Sequence, residues 1–322
     1  MPIGSAVSPA APIANGSICT MATEPVLLLG AAGQLGHALK QALEQAAYPV
    51  VAWTRADLDL RHLSELPLRL AQLKPRWVLN AAAYTAVDKA QTEPEQAHWV
   101  NAQLPAMLAE YAKASGAVLM HFSSDYVFNG RSNRPYLETD ATDPLSVYGH
   151  SKRDGDAAVQ ASGARHLIFR SSWVVAAHGQ NFLKTMLRLA TERDQLKVVA
   201  DQTGVPTAAA WLAELALLAM PLADREGLNG LFHATPSGQT TWHGYAQHVL
   251  LQAASHGWPL KATADQVLPI STAQYPLPAQ RPAYGLLDSR LLARSLPCDW
   301  PDWQTGVDQV VAQLSQQRPL KI

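Results

Sequence analysis

Apolar residues in this chain gather into short unbroken runs, separated by longer stretches in which they recur every three or four positions. PVLLLG (25–30) is the first run, followed by AAGQLGHALKQALEQAA (31–47), a helical pattern built from good helix formers. YPVVAWT (48–54), RWVLNAAA (76–83), GAVLMHFSS (116–124) and ARHLIFRSSW (164–173) repeat the runs, and helices are expected over 94–115 and 146–162. A run without polar alternation is what a strand covered on both faces shows. Such strands alternating with helices predict an α/β fold with a doubly wound parallel sheet. Beyond about residue 173 the pattern loosens. HGQNFLKTMLRLATERD (178–194) and TAAAWLAELALLAM (207–220) read as helices, and LKVVADQTGVPT (196–207) reads as a strand and loop. Prolines then concentrate over 269–301, as in loops closing over a site.

Composition narrows the function. A net charge of −1, with 16% of the 322 residues charged, leaves no basic field for nucleic acid. No apolar run is long enough to cross a membrane. The two cysteines, Cys19 and Cys298, form neither a disulfide framework nor a metal-ligand spacing, as expected of a protein in a reducing cytoplasm. The opening MPIGSAVSPAAPIANGSICTMATEP lacks the basic and apolar regions of a signal peptide. Residues 1–24 are expected to form a flexible leader, with Met21 a second candidate start.

Candidate chemistry starts at GAAGQLG. Gly30, Gly33 and Gly36 lie between the first strand and first helix, with Gln34 and Leu35 opening that helix. Backbone amides at its positive end suit a pyrophosphate, and glycine removes the Cβ that would block approach. Three glycines in an ordinary turn are the other reading. After the second strand, WTRADLDL puts Thr54 and Arg55 where an acid would grip the ribose of NAD. An arginine there suits the 2′-phosphate of NADPH, with NADH still possible; a surface arginine is the alternative. Asp59 and Leu60 are further candidates on the adenosine side. In PLSVYGHSKRDG, Tyr148 and Lys152 stand four apart, on one face of the expected helix. Either this is a solvated face, or the ammonium lowers the phenol's pKa and holds a proton donor ready.

Four strings follow in order: NAAAYTAVDKAQTEPEQAHWVN, HFSSDYVFNG, VYGHSK and DQTGVPT. With the glycine loop they make the chain, from about residue 25 to 307, similar to the extended short-chain dehydrogenase/reductase family. FRSSWV, NFLKTMLRLA, TTWHGYA and the Arg-Pro at 281–282 point to its branch acting on dTDP-linked 4-keto-6-deoxy sugars. The resemblance implies reduction of the C4 keto group of dTDP-4-dehydro-L-rhamnose to dTDP-L-rhamnose. It implies a Rossmann-like domain over 25–173, joined by about 197–221, and a smaller sugar-nucleotide-binding domain over 174–322. Tyr148 matches the proton donor, Lys152 its partner on the nicotinamide ribose, and Ser124 the hydroxyl that holds the carbonyl, with Ser123 the runner-up. Asp125 should touch the sugar. Ala82, Ala83, Tyr84 and Thr85 should line the cofactor. Trp173 is either a substrate contact or a core aromatic.

Some relatives pair through a magnesium site made of glutamates. Ala38 and Ala210 stand where those are expected, so no metal ligand is assigned, and the chain is read as a monomer or homodimer. Gly285 replaces an expected polar residue near the substrate. Three other functions compete. A dehydratase needs Asp-Glu after the serine, whereas Asp125 is followed by Tyr126. An epimerase would hold NAD tightly through its cycle. A regulatory subunit of the methionine adenosyltransferase type would dispense with Ser124, Tyr148 and Lys152, all of which are present.

Overall fold

The computed structural model describes residues 24–58 and 63–317. The short apolar runs form six parallel strands: β1 (Val26–Leu29), β2 (Val50–Trp53), β3 (Trp77–Asn80), β4 (Val118–Ser124), β5 (His166–Ser171) and β6 (Gly230–His233). They lie in the order β6-β5-β4-β3-β1-β2. The order turns back between β1 and β3, and in open α/β sheets ligands bind at the strand ends beside that point.

Alternate residues of each strand feed opposite cores, because side chains along a strand point up and down in turn. One face takes Val26, Leu28, Leu79, Met120 and Phe169. Two helices cover it, α1 (Gln34–Gln45) and an alanine-rich helix over Ala209–Arg225. The other face takes Leu27, Leu29, Val78, Leu119 and Ile168, against α2 (Leu66–Leu73), α3 (Leu104–Ser115) and α4 (Val147–Ala161). Burying each such leucine, isoleucine or phenylalanine contributes about 1.5–3 kcal/mol.

The helix expected over 94–115 is divided. Pro94–His98 is α-helical, residues 99–103 form a π turn and α3 follows. Pro105 has no N–H to offer the Asn101 carbonyl, so the α ladder cannot pass that point unbroken.

A second core gathers Leu183, Met186, Val198, Tyr245, Val249, Val267, Trp303 and Val310. Its helices are α5 (Phe182–Glu192), α7 (Trp242–Ser255) and α8 (Trp303–Gln316), with α6 the alanine-rich Ala209–Arg225. Strand Leu196–Val199 belongs to this core and pairs with Val267–Ile270, not with the six-stranded sheet. Residues 196–199 thus pair outside the six-stranded sheet, while α6 packs against its face. The sheet instead extends to β6, a strand the pattern did not signal. Among the described residues no helix is long and apolar enough to cross a membrane.

Candidate active site

The turn after β1 is shaped by glycine. Gly30 has φ +77°, and a Cβ there would come within 2.6 Å of the Ala82 backbone. A Cβ on Gly36 would lie 2.1 Å from the Gly30 carbonyl, so loop and helix meet closer than any side chain permits. Gly33 caps α1 with no side-chain hydrogen bond, which leaves the helix's first amides free of a capping side chain. Beside this turn lies a cavity of about 890 Å³, lined by Gly30, Gly33, Thr54, Arg55, Ala82, Ala83, Tyr84, Thr85 and Lys89 among others. Free amides, a helix dipole and two cations suit a large anionic nucleotide.

Gln34 and Leu35 turn elsewhere. The Gln34 side chain accepts from Ala176 N and Asn181 Nδ2, tying α1 to the loop before α5, and Leu35 packs into the first core. Only their backbone faces the phosphate turn. Asp57 is also occupied, accepting from Thr54 N and Oγ1 at 2.8 Å each, which holds its pKa below the usual carboxylate range. Asp59 and Leu60 lie outside the described residues.

Ser124 ends β4, and Tyr148 and Lys152 occupy the first turns of α4, which Ser146 caps by accepting from Gly149 N. Ser124 beside the Tyr148 hydroxyl lowers the phenol's pKa, but burial outweighs this and pushes it up to about 12. Lys152 Nζ donates to the Phe122 carbonyl at 2.7 Å, and burial pulls its pKa down to about 8. The expectation that Lys152 acidifies the phenol in this state is therefore corrected. The lysine is turned to the strand end, and desolvation dominates both groups. Ser123 lies on the opposite side of the strand, its hydroxyl buried without a partner.

Asp125 is buried, accepts from Ser124 Oγ at 3.0 Å, and has a pKa raised to about 7 by burial. A second cavity, of about 820 Å³, is lined by Phe182, Arg193, Lys197, Gln202, Trp242, Tyr275 and Arg281 among others. Trp242 lines it, and Trp173 does not. Trp173 stacks on Trp242 at 3.6 Å between ring centroids, with a strained φ of +44° and its indole against Gly204. The packing reading of Trp173 describes its surroundings better.

A family description, the RmlD substrate binding domain, matches residues 24–316. The dTDP-4-dehydrorhamnose reductase of Burkholderia thailandensis is 40% identical over 297 residues, 91% of this chain and 99% of that protein. The chain belongs to the dTDP-4-dehydrorhamnose reductase family. The Escherichia coli reductase is 41% identical over 90% of this chain and 97% of its own length. A Bacillus anthracis dTDP-4-dehydrorhamnose reductase solved in complex with NADP superposes with a TM-score of 0.82 at 31% identity, over 90% of this chain and 99% of that one.

For this member of the dTDP-4-dehydrorhamnose reductase family, Gly285 has a local explanation. A Cβ there would lie 2.6 Å from Asp125 Oδ2, so glycine makes room for the buried carboxyl. Ala38, on α1, packs against the first core. Among the described residues no group of three or more His, Cys, Asp or Glu side chains is placed to hold a metal.

Sequence reasoning missed three features of the site. Asn101, on the π turn, clamps Tyr84 through both its N–H and its carbonyl and donates to Ser151 Oγ at 3.0 Å. Pro105, four residues later, was its available signal. Asp88 and Arg281 form a two-pronged pair, at 3.1 and 2.7 Å, between the lips of the two cavities. Trp242 was noted only within a family string.

Proposed function

We propose that this protein reduces the C4 keto group of dTDP-4-dehydro-L-rhamnose with NADPH, giving dTDP-L-rhamnose. The observation that carries this reading is the buried Ser124–Tyr148 contact, one turn from Lys152 at the strand ends. The cation-bearing 890 Å³ cavity and the aromatic 820 Å³ cavity supply room for cofactor and sugar nucleotide.

NADPH, when bound, supplies the hydride. The glycine turn and α1 would hold its pyrophosphate, and Arg55 would pair with the adenosine 2′-phosphate. Lys152 would donate to the nicotinamide ribose. Ser124 donates to the sugar carbonyl and polarises it; Tyr148 then delivers its proton to the developing alkoxide. A phenol held near pKa 12 is a reluctant donor to a neutral ketone, but an alkoxide is far more basic and takes its proton readily. Trp242 and Tyr275 offer faces for the thymine, and Arg193 and Lys197 offer charge for the diphosphate. The protein is read as a cytoplasmic monomer or homodimer with no nucleic-acid partner.

Tyr148→Phe tests the assignment. It removes the proton but keeps the ring, so turnover should fall by about 10²–10⁴-fold. NADPH affinity, read by fluorescence titration, should hold. Turnover near the parent's would remove Tyr148 from the mechanism.

A further inference from the structure

Helix α4 carries a third ionisable residue in line with its catalytic pair. Tyr148, Lys152 and Asp156 follow at intervals of four, which stacks them along one face. Lys152 and Asp156 are each 1% exposed. A lone buried ammonium tends to shed its proton, so the charge state of Lys152 depends on what surrounds it.

Asp156 is fixed from two other elements. Arg170 Nε, on β5, donates to Oδ2 at 2.9 Å. Oδ1 has no hydrogen-bond partner and faces His121 Nε2, on β4, at 3.8 Å. The imidazole's state follows from its other nitrogen. Ala82 N donates to Asn80 Oδ1, so the Asn80 amide is oriented to donate from Nδ2 to His121 Nδ1, at 3.1 Å. The ring proton then sits on Nε2 and points toward Asp156. His121 stays neutral, since burial and the Lys152 charge hold its pKa well below the ordinary value. Arg170 in turn feels the half-buried Glu138. Glu138, Arg170, Asp156 and Lys152 thus alternate in sign, with His121 and His233 neutral beside them.

We propose that Asp156 is a positioning residue for the reduction: anchored by Arg170 and faced by His121, its carboxylate keeps Lys152 an ammonium in a water-excluding site. It touches neither substrate nor cofactor, and it acts through the lysine. The pull of Asp156 opposes the lowering of the Lys152 pKa by burial. Tyr148 is the other titrating group that Asp156 acts on, and the same charge raises the phenol. The inference rests on reading Lys152 as the residue that meets the nicotinamide ribose.

The test is NADPH affinity against pH, without sugar, for the parent, Asp156→Glu and Asp156→Asn. Because Asp156→Asn leaves Arg170 buried and unpaired, the double variant Asp156→Asn with Arg170→Gln is measured beside it. The parent and Asp156→Glu should lose affinity on the alkaline side at similar pH. Both uncharged variants should lose it at a pH lower by about one unit or more. The alkaline limb of kcat/KM should move with it. An unshifted profile in a folded uncharged variant overturns the proposal, even if activity falls uniformly. A parent that binds no NADPH at any pH overturns the cofactor reading itself.

Discussion

Asp125 shows how far burial can move a single residue. Its carboxyl remains protonated in the folded chain up to about pH 7, whereas an unfolded aspartate ionises near pH 4. Between those values the folded state binds more protons, so this residue's contribution to stability declines as pH rises. Asp125→Asn cannot ionise and lacks that decline. In chemical denaturation from pH 5 to 8 it should gain on the parent as pH rises, by on the order of 1 kcal/mol per unit up to about pH 7. A constant difference between the two would mean that Asp125 is already ionised when folded. At this scale Tyr148, Lys152 and Ser124 were legible, because the family strings place each at a fixed offset. Asn101, Asp156 and Arg281 were not. Their roles depend on contacts with Tyr84, Arg170 and Asp88, on other segments of the chain.

Elements were legible where one face or both are buried over several residues. The apolar runs gave β1 to β5, since a strand covered on both sides needs no alternation of polar and apolar positions. Gly230–His233 escaped notice because it is short, opens on glycine and is only half-buried at its first two residues. The π turn had only Pro105 to mark it, and the packing of α4 against it is not local in sequence. Gly155 on α4 lies against it, and a Cβ there would come within 2.1 Å of the Asn101 carbonyl. Gly155→Ala must push α4 from the turn that positions Asn101. Overpacking of this kind costs about 1–3 kcal/mol. Urea denaturation should show that loss, and a variant as stable as the parent would contradict the packing described.

At the scale of the molecule, two cores share one site. The sheet and its helices carry the glycine turn and the proposed catalytic residues, and the second core carries the aromatic cavity. Arg281 connects them: it grips Asp88 beside the nucleotide cavity and donates to the Ala279 carbonyl at 3.0 Å, while Asp88 accepts from Ala279 N. Residues 275–281 and Ala283 line the aromatic cavity, so this clasp sets its wall. Arg281→Ala should raise KM for the sugar nucleotide about tenfold, equivalent to ~1.4 kcal/mol, with a smaller change in NADPH affinity. Steady-state kinetics with each ligand varied separately would check this; equal effects on both would make the clasp a general stabiliser. The segment around Arg281 escaped sequence reading beyond its prolines, because its partner Asp88 is far off in the chain.

The most direct test of the account is to supply the protein with NADPH and freshly generated dTDP-4-dehydro-L-rhamnose and to identify the product. The account predicts one NADPH oxidised for each dTDP-L-rhamnose formed, with turnover requiring the Tyr148 hydroxyl. NADPH left unoxidised while the sugar is epimerised, or no turnover by a folded protein that binds both ligands, would contradict it.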